Sequence, residues 1–195
     1  MGKFLMVCLL AYLAGSVNFA ILFFKIAGKA DPRLGFSGNA GTTNVYRQAG
    51  RLWAALILAL DVGRALAVAA LALYFLDRAW VAWPGFFLIL GNTFPCFHKF
   101  RGGKGVANYL GFTLLAAPWA ALTACALWVL VYAIVRRPFI ASFFMAAALA
   151  AGQAQPLDVS WPALTGALAA LILIVFNHRV NIRQYRREQN PSSGA

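Results

Sequence analysis

The sequence predicts an all-α integral membrane protein, and three observations lead there. Apolar residues make up 62% of the 195 and charged residues only 11%, with a mean hydropathy of +0.73. Soluble domains carry about 25% charged residues. The apolar residues come in long runs of the kind a bilayer span requires. The cations gather in alternate loops between those runs, which is the signature of membrane topology.

Seven transmembrane helices are expected, over 4–25, 52–76, 79–92, 105–117, 119–135, 138–152 and 162–177. The first is too long for the apolar region of a cleavable signal peptide, and no cleavage site follows it. Within it, Gly15-Ser16-Val17-Asn18 places polar groups in apolar surroundings. Ser16 can bond to the preceding turn, whereas the Asn18 amide needs several partners. The second span carries Asp61 and Arg64, three residues apart and so on one face. That pair reads either as a structural ion pair or as a catalytic one facing the bundle interior. The third and fourth spans are short. Thirteen helical residues reach about 20 Å, less than the ~30 Å hydrocarbon core, so these are expected as half-helices or spans extended by loop residues. Ser142 lies in the sixth span, and His178 and Asn181 follow the seventh. The domain assignment is one unit over 1–189, with residues 190–195 expected to be disordered.

The net charge of +12 does not indicate nucleic acid, because the cations are spread over several short loops. Fourteen of the seventeen lie in loops of one side, and only Lys3 and Arg78 fall on the other, with Arg64 inside a span. The positive-inside rule then places the N-terminus outside and the C-terminus in the cytoplasm. The three cysteines, Cys8, Cys96 and Cys125, are unpaired by spacing and read as packing residues.

Two polar loops share the cytoplasmic side. Lys99-Phe100-Arg101-Gly102-Gly103-Lys104-Gly105 puts three cations and three glycines in seven residues. Glycine lets backbone N–H groups approach an oxyanion, and Lys and Arg add charge. This is not a nucleotide-binding P-loop: His98 stands where its first glycine belongs, and Gly105 follows Lys104 where Ser or Thr is needed. The other loop, Ser37-Gly38-Asn39-Ala40-Gly41-Thr42-Thr43-Asn44, leads to Arg47. It reads as a turn before the second span or as hydroxyl and amide groups around a polyol phosphate. There is no G-x-S-x-G, no Ser-His-Asp set and no zinc or iron cluster, so no cofactor or metal is expected and the chemistry calls for an already activated substrate.

These motifs occur in one order. They are Gly15–Ala20, Phe36–Arg47, Asp61-Val62-Gly63-Arg64-Ala65, Gly91–Ala107, Arg136–Ser142 and His178-Arg179-Val180-Asn181-Ile182-Arg183. In that order they resemble the bacterial acyl-phosphate-dependent glycerol-3-phosphate acyltransferase family, the PlsY type. The stretch Phe94–Ala107 is the most specific part. The chain departs from the family pattern at five positions: Asn92 replaces a His, Asn18 and Ala40 replace prolines, Arg64 replaces a Lys and Phe139 replaces a Ser. The resemblance implies acyl transfer from acyl phosphate to the 1-hydroxyl of glycerol 3-phosphate at the cytoplasmic face of a bacterial inner membrane. A monomer in contact with the bilayer, with no nucleic-acid partner, is expected. The expected catalytic residues are Asn92, Lys104 and Asn181. The expected substrate- and phosphate-binding residues are Ser37, Gly38, Asn39, Thr42, Thr43, Asn44, Arg47, Lys99, Arg101, Gly102, Gly103, Gly105, Ser142 and His178. Backbone N–H groups of Gly102, Gly103 and Gly105 or of the first loop are expected to hold one phosphate. Lys104, Arg47 and Asn181 are expected to hold the other substrate. A transporter of an anionic lipid or organic phosphate, or an inactive or divergent relative with another acceptor, is the alternative.

Overall fold

In the computed structural model, residues 1–154 and 160–189 are described. The tail expected from residue 190 onward lies outside the described residues. Ten α-helices and no strand occur among the described residues. The expected first span is broken in two, α1 (Gly2–Ser16) and α2 (Phe19–Ile26). The break is at Val17 and Asn18, both extended. Asn18 Oδ1 accepts from Ile21 N–H at 3.0 Å and so caps α2, while Nδ2 donates to Ala40 O at 3.2 Å. A short polar side chain thus starts a second helix and ties it to the first polar loop.

The expected turn before the second span is itself partly helical: α3 (Thr42–Ala49) precedes α4 (Arg51–Phe75). Gly50, at φ 89°, separates the two. One face of α3 is buried through Asn44 and Val45 while Tyr46 is exposed, so α3 is an amphipathic surface helix.

The next two spans are short, α5 (Ala82–Thr93) and α6 (Val106–Ala116). Both are shorter than an apolar core requires. Short 3-10 turns at Arg78–Trp80 and Cys96–His98 extend α5 at its two ends. Then follow α7 (Pro118–Val135), α8 (Pro138–Ala154), α9 (Trp161–Asn177) and α10 (Arg179–Gln189). Among the described residues, four stretches are long and apolar enough to cross a bilayer: Gly2–Ile26, Arg51–Phe75, Arg78–His98 and Pro118–Val135. The pair α9–α10, bent by 49°, makes a fifth if taken as one, and α6 and α8 are shorter apolar helices.

Helix α5 sits at the centre, packed by α1, α6 and α9. Its approach to α1 is backbone on backbone. A Cβ on Gly15 would strike the Leu88 carbonyl, and one on Gly91 the Tyr12 carbonyl. Small residues permit such contact where burial of side chains between helices gains little against lipid. Tyr12 then donates its hydroxyl to Phe94 O at 2.8 Å, which anchors the end of α5. The cores are alanine-rich, with Ala65, Ala69, Ala121, Ala124, Ala146 and Ala170 fully buried. Trp119, Leu122, Val129, Leu130 and Ile134 of α7 face outward, an apolar surface suited to lipid.

Candidate active site

The site begins where α5 ends. Lys99 and Phe100 adopt left-handed conformations, and the chain turns back on itself. Gly102 N–H then donates to Thr93 O at 3.0 Å and Gly103 N–H to Asn92 O at 2.8 Å. Arg33 Nη1 holds the outside of the turn through His98 O at 2.9 Å and Arg101 O at 2.7 Å. Asn177 Nδ2 holds the inside through Lys104 O at 3.2 Å. Gly103 has no room for a side chain, since a Cβ would lie 2.7 Å from Asn92 Nδ2 and 2.9 Å from Ala40 O. Gly105, at φ 86°, is the residue that turns the loop into α6.

A cavity of about 710 Å³ opens beside this turn. Ser37, Asn39, Thr42, Thr43, Arg47, Asn92, Gly103, Lys104, Gly105, Ser142, His178 and Asn181 all line it. Its apolar wall comes from Leu58, Val106, Leu110, Trp128 and Met145. Lys104 Nζ donates to Asn181 Oδ1, joining the loop to α10. Asn92 is buried, and its side-chain amide has no protein partner among the described residues. The buried Thr42 hydroxyl is likewise unpartnered. Ser142 Oγ donates to Pro138 O at 2.9 Å and accepts from Trp128 Nε1 at 3.4 Å, so its remaining lone pair is what it can offer. Gly105, Val106 and Ala107 open α6 on the cavity wall. The first N–H groups of a helix have no acceptor within it and carry its positive dipole end, so this terminus can receive an anion.

Burial pushes the Lys104 ammonium down from its ordinary value to about 8, and the nearby Arg47 guanidinium adds to the shift. The group stays mostly charged at neutral pH, poorly hydrated and without a carboxylate partner among the described residues. His178 is pushed down to about 4 by burial first and by Lys104 second. It is therefore neutral at pH 7. Its Nδ1 lies 2.8 Å from Ile174 O, which fixes the proton there and leaves Nε2 as an acceptor.

Other expected site residues lie outside the cavity, for physical reasons. Asn44 Nδ2 is occupied by three carbonyls, Pro32 O at 2.7 Å, Asn39 O at 2.9 Å and Gly35 O at 3.2 Å. It staples the first loop. Gly38, at φ 64°, makes the turn of that loop. Lys99 and Arg101 are exposed on the outer side of the reversal. The Gly102 and Gly103 N–H groups are used by the carbonyls at the end of α5 and cannot hold a phosphate as expected. The free N–H groups that face the cavity instead are those at the start of α6. The sequence reasoning passed over that terminus, along with Asn108, Asn177, Arg137, Tyr185 and Glu188, and left Asp61 outside the site. Asn177 and Asn181 were accessible to a helical-spacing argument, being four residues apart. Arg137, within the Arg136–Ser142 motif but not expected at the site, lines the cavity, pairs with Glu188 at 2.9 Å and stacks over Tyr185.

The apolar helical fold and the cationic, amide-lined cavity define the class: an integral membrane protein with an anion-receptive site at its helix ends. A family profile described as Glycerol-3-phosphate acyltransferase matches residues 5–188. The chain is 40% identical over 184 residues to a glycerol-3-phosphate acyltransferase of Pseudomonas fluorescens, covering 92% of this chain and 94% of that one. It is 42% identical over 188 residues to one of Jannaschia sp., covering 95% and 91%. The crystal structure of PlsY, an integral membrane glycerol 3-phosphate acyltransferase, in its glycerol 3-phosphate form matches with a TM-score of 0.88 at 30% identity, over 96% of this chain and 94% of that one. Its lysophosphatidic acid form matches with a TM-score of 0.85 at 29% identity, over 96% and 93%. The chain belongs to the glycerol-3-phosphate acyltransferase family.

Proposed function

We propose that this chain moves an acyl group from acyl phosphate to the 1-hydroxyl of glycerol 3-phosphate, releasing lysophosphatidic acid and inorganic phosphate. The observation that carries the reading is the meeting of Lys104, Arg47 and the α6 N-terminus on one cavity that also has apolar lining. Two anion-receptive positions suit two phosphorylated substrates, and the apolar wall suits the acyl chain. The solved relative with the same fold is named for its glycerol 3-phosphate and lysophosphatidic acid forms.

Acyl phosphate is a mixed anhydride with a good leaving group, so no protein nucleophile is required. The protein has to bring a hydroxyl to the carbonyl and to stabilise charge as it develops. The α6 N-terminus receives the acyl-phosphate end, and Lys104 with Arg47 receives glycerol 3-phosphate. Asn181 orients Lys104. Asn92 can hydrogen-bond but not relay a proton near neutral pH, so the departing phosphate takes the hydroxyl proton.

Seven spans fit if α6 and α8 are counted with the five longer stretches. The segregated cations then put the N-terminus outside, and the cavity and C-terminus on the cytoplasmic side of the bacterial inner membrane. A monomer suffices, because one chain lines the cavity, and residues 1–189 act as one domain. The test is purified protein in lipid nanodiscs with palmitoyl phosphate and labelled glycerol 3-phosphate. Lysophosphatidic acid and phosphate should appear in equal amounts. No product across a series of acyl-phosphate chain lengths would remove the reading.

A further inference from the structure

We infer that Asp61 contacts substrate: its unengaged carboxylate oxygen accepts a hydrogen bond from a hydroxyl of the alcohol acceptor. The inference rests on the acyl-transfer reading above and names the group that holds the acceptor's alcohol end. Asp61 lies on α4, 7% exposed, on the cavity wall. Oδ1 accepts from Arg64 Nη2 at 2.7 Å, and no donor among the described residues reaches Oδ2. Arg64 is itself immobilised. Its Nη1 donates to Ala14 O at 3.2 Å, which also accepts from Val17 N–H, and to Val17 O, both at the break between α1 and α2. Its Nη2 also donates to Asn108 Oδ1 at 2.6 Å, and the guanidinium lies 5.0 Å from the centre of the Phe19 ring. A carboxylate clamped through one oxygen by so constrained a partner presents the other in a fixed direction.

The donor and acceptor inventory of the cavity gives that oxygen a task. Lys104, Arg47, Arg137 and the α6 N–H groups are all donors, matched to phosphate oxygens. A polyol phosphate also carries hydroxyl protons, which need acceptors. The other carboxylate on the cavity wall, Glu188, is tied to Arg137 at 2.9 Å. Asp61 lines the same cavity as Lys104 and Arg47. A molecule with its phosphate at Lys104 and its alcohol end at Asp61 satisfies both.

The test compares calorimetric affinities for glycerol 3-phosphate and for propyl phosphate, which lacks both hydroxyls, with no acyl donor present. Wild type should bind glycerol 3-phosphate ~10–100-fold more tightly, the range of one hydrogen bond to a charged group. In Asp61→Asn the gap should collapse to under ~3-fold, with propyl phosphate binding unchanged, because an amide hydrogen replaces the acceptor. A merely structural lesion would weaken both ligands alike. Asp61→Asn leaves Arg64 without a counter-ion, so the same measurement is made on Asp61→Asn/Arg64→Gln, a neutral pair. A gap that survives in either variant would overturn the inference and point to the neutral His178 ring as the hydroxyl acceptor. Absence of the gap in wild type would overturn it too. A wild type that shows the gap but makes no lysophosphatidic acid would sink the proposed reaction and leave Asp61 assigned.

Discussion

Lys104→Met is the most direct perturbation of the phosphate grip. The side chain is close in length, so the change removes the charge with little change in volume. One hydrogen bond from a charged group contributes ~1.5–3 kcal/mol, which corresponds to ~10–150-fold in kcat/KM for glycerol 3-phosphate. Asn181 Oδ1 loses its donor. It faces a cavity open to water, so that loss adds little. The pH profile supplies the sharper reading. With Lys104 titrating at about 8, about nine in ten are charged at pH 7 and about one in ten at pH 9. Anion binding needs the charged form, so kcat/KM should fall ~10-fold per pH unit above 8. Unfolding driven by Lys104 cannot mimic this. Its pKa is lowered from 10.5 in the folded protein, so between 8 and 10.5 the unfolded chain binds more protons and folding stability rises with pH. Lys104→Arg keeps a permanent charge, so its profile should be flat through pH 9 at a reduced plateau. The assay is initial-rate release of phosphate from palmitoyl phosphate between pH 6.5 and 9.5. Lys104→Met within twofold of wild type, or an unchanged alkaline limb in Lys104→Arg, would refute the assignment.

Three further outcomes are expected. Asn92→His should change kcat by less than ~3-fold, whereas Asn92→Leu should lower it ~10-fold or more by leaving a polar substrate group unpaired; a large gain in Asn92→His would show that a side-chain proton relay at 92 is what the chain lacks. Gly105→Ala forces a side chain into a left-handed position against Ile89; it should cost ~1–2 kcal/mol of stability and raise KM by displacing the α6 N-terminus, read as a fall in the thermal midpoint together with the kinetics. In a variant lacking Cys8, Cys96 and Cys125, cysteines placed at Arg101 and Arg183 should resist an impermeant maleimide in intact cells, and one at Lys3 should react; the opposite labelling would invert the topology.

The membrane class and the family were legible in the residues themselves. Hydropathy, the segregation of cations and the Phe94–Ala107 motif are local properties of the chain, and each survives without knowledge of any distant contact. The position of each polar group was not so legible. Asn44 and Lys104 both stand in the polar motifs of the cytoplasmic loops. The fold spends the first on three loop carbonyls and turns the second into a cavity 77 residues away from its partner Asn181. The glycine-rich loop was read as an anion site, but its Gly102 and Gly103 N–H groups satisfy the end of α5, and the N–H groups left free are those that open α6 after Gly105. The break at Asn18 was visible as a polar interruption. Only its contact to Ala40 and the placement of Arg64 on the carbonyls at the break give it a role. Burial and charge pattern are written along the chain, so the sequence alone determined the kind of protein this is. Which donors remain free for a ligand depends on every competing acceptor in three dimensions, and only the tertiary structure decided that.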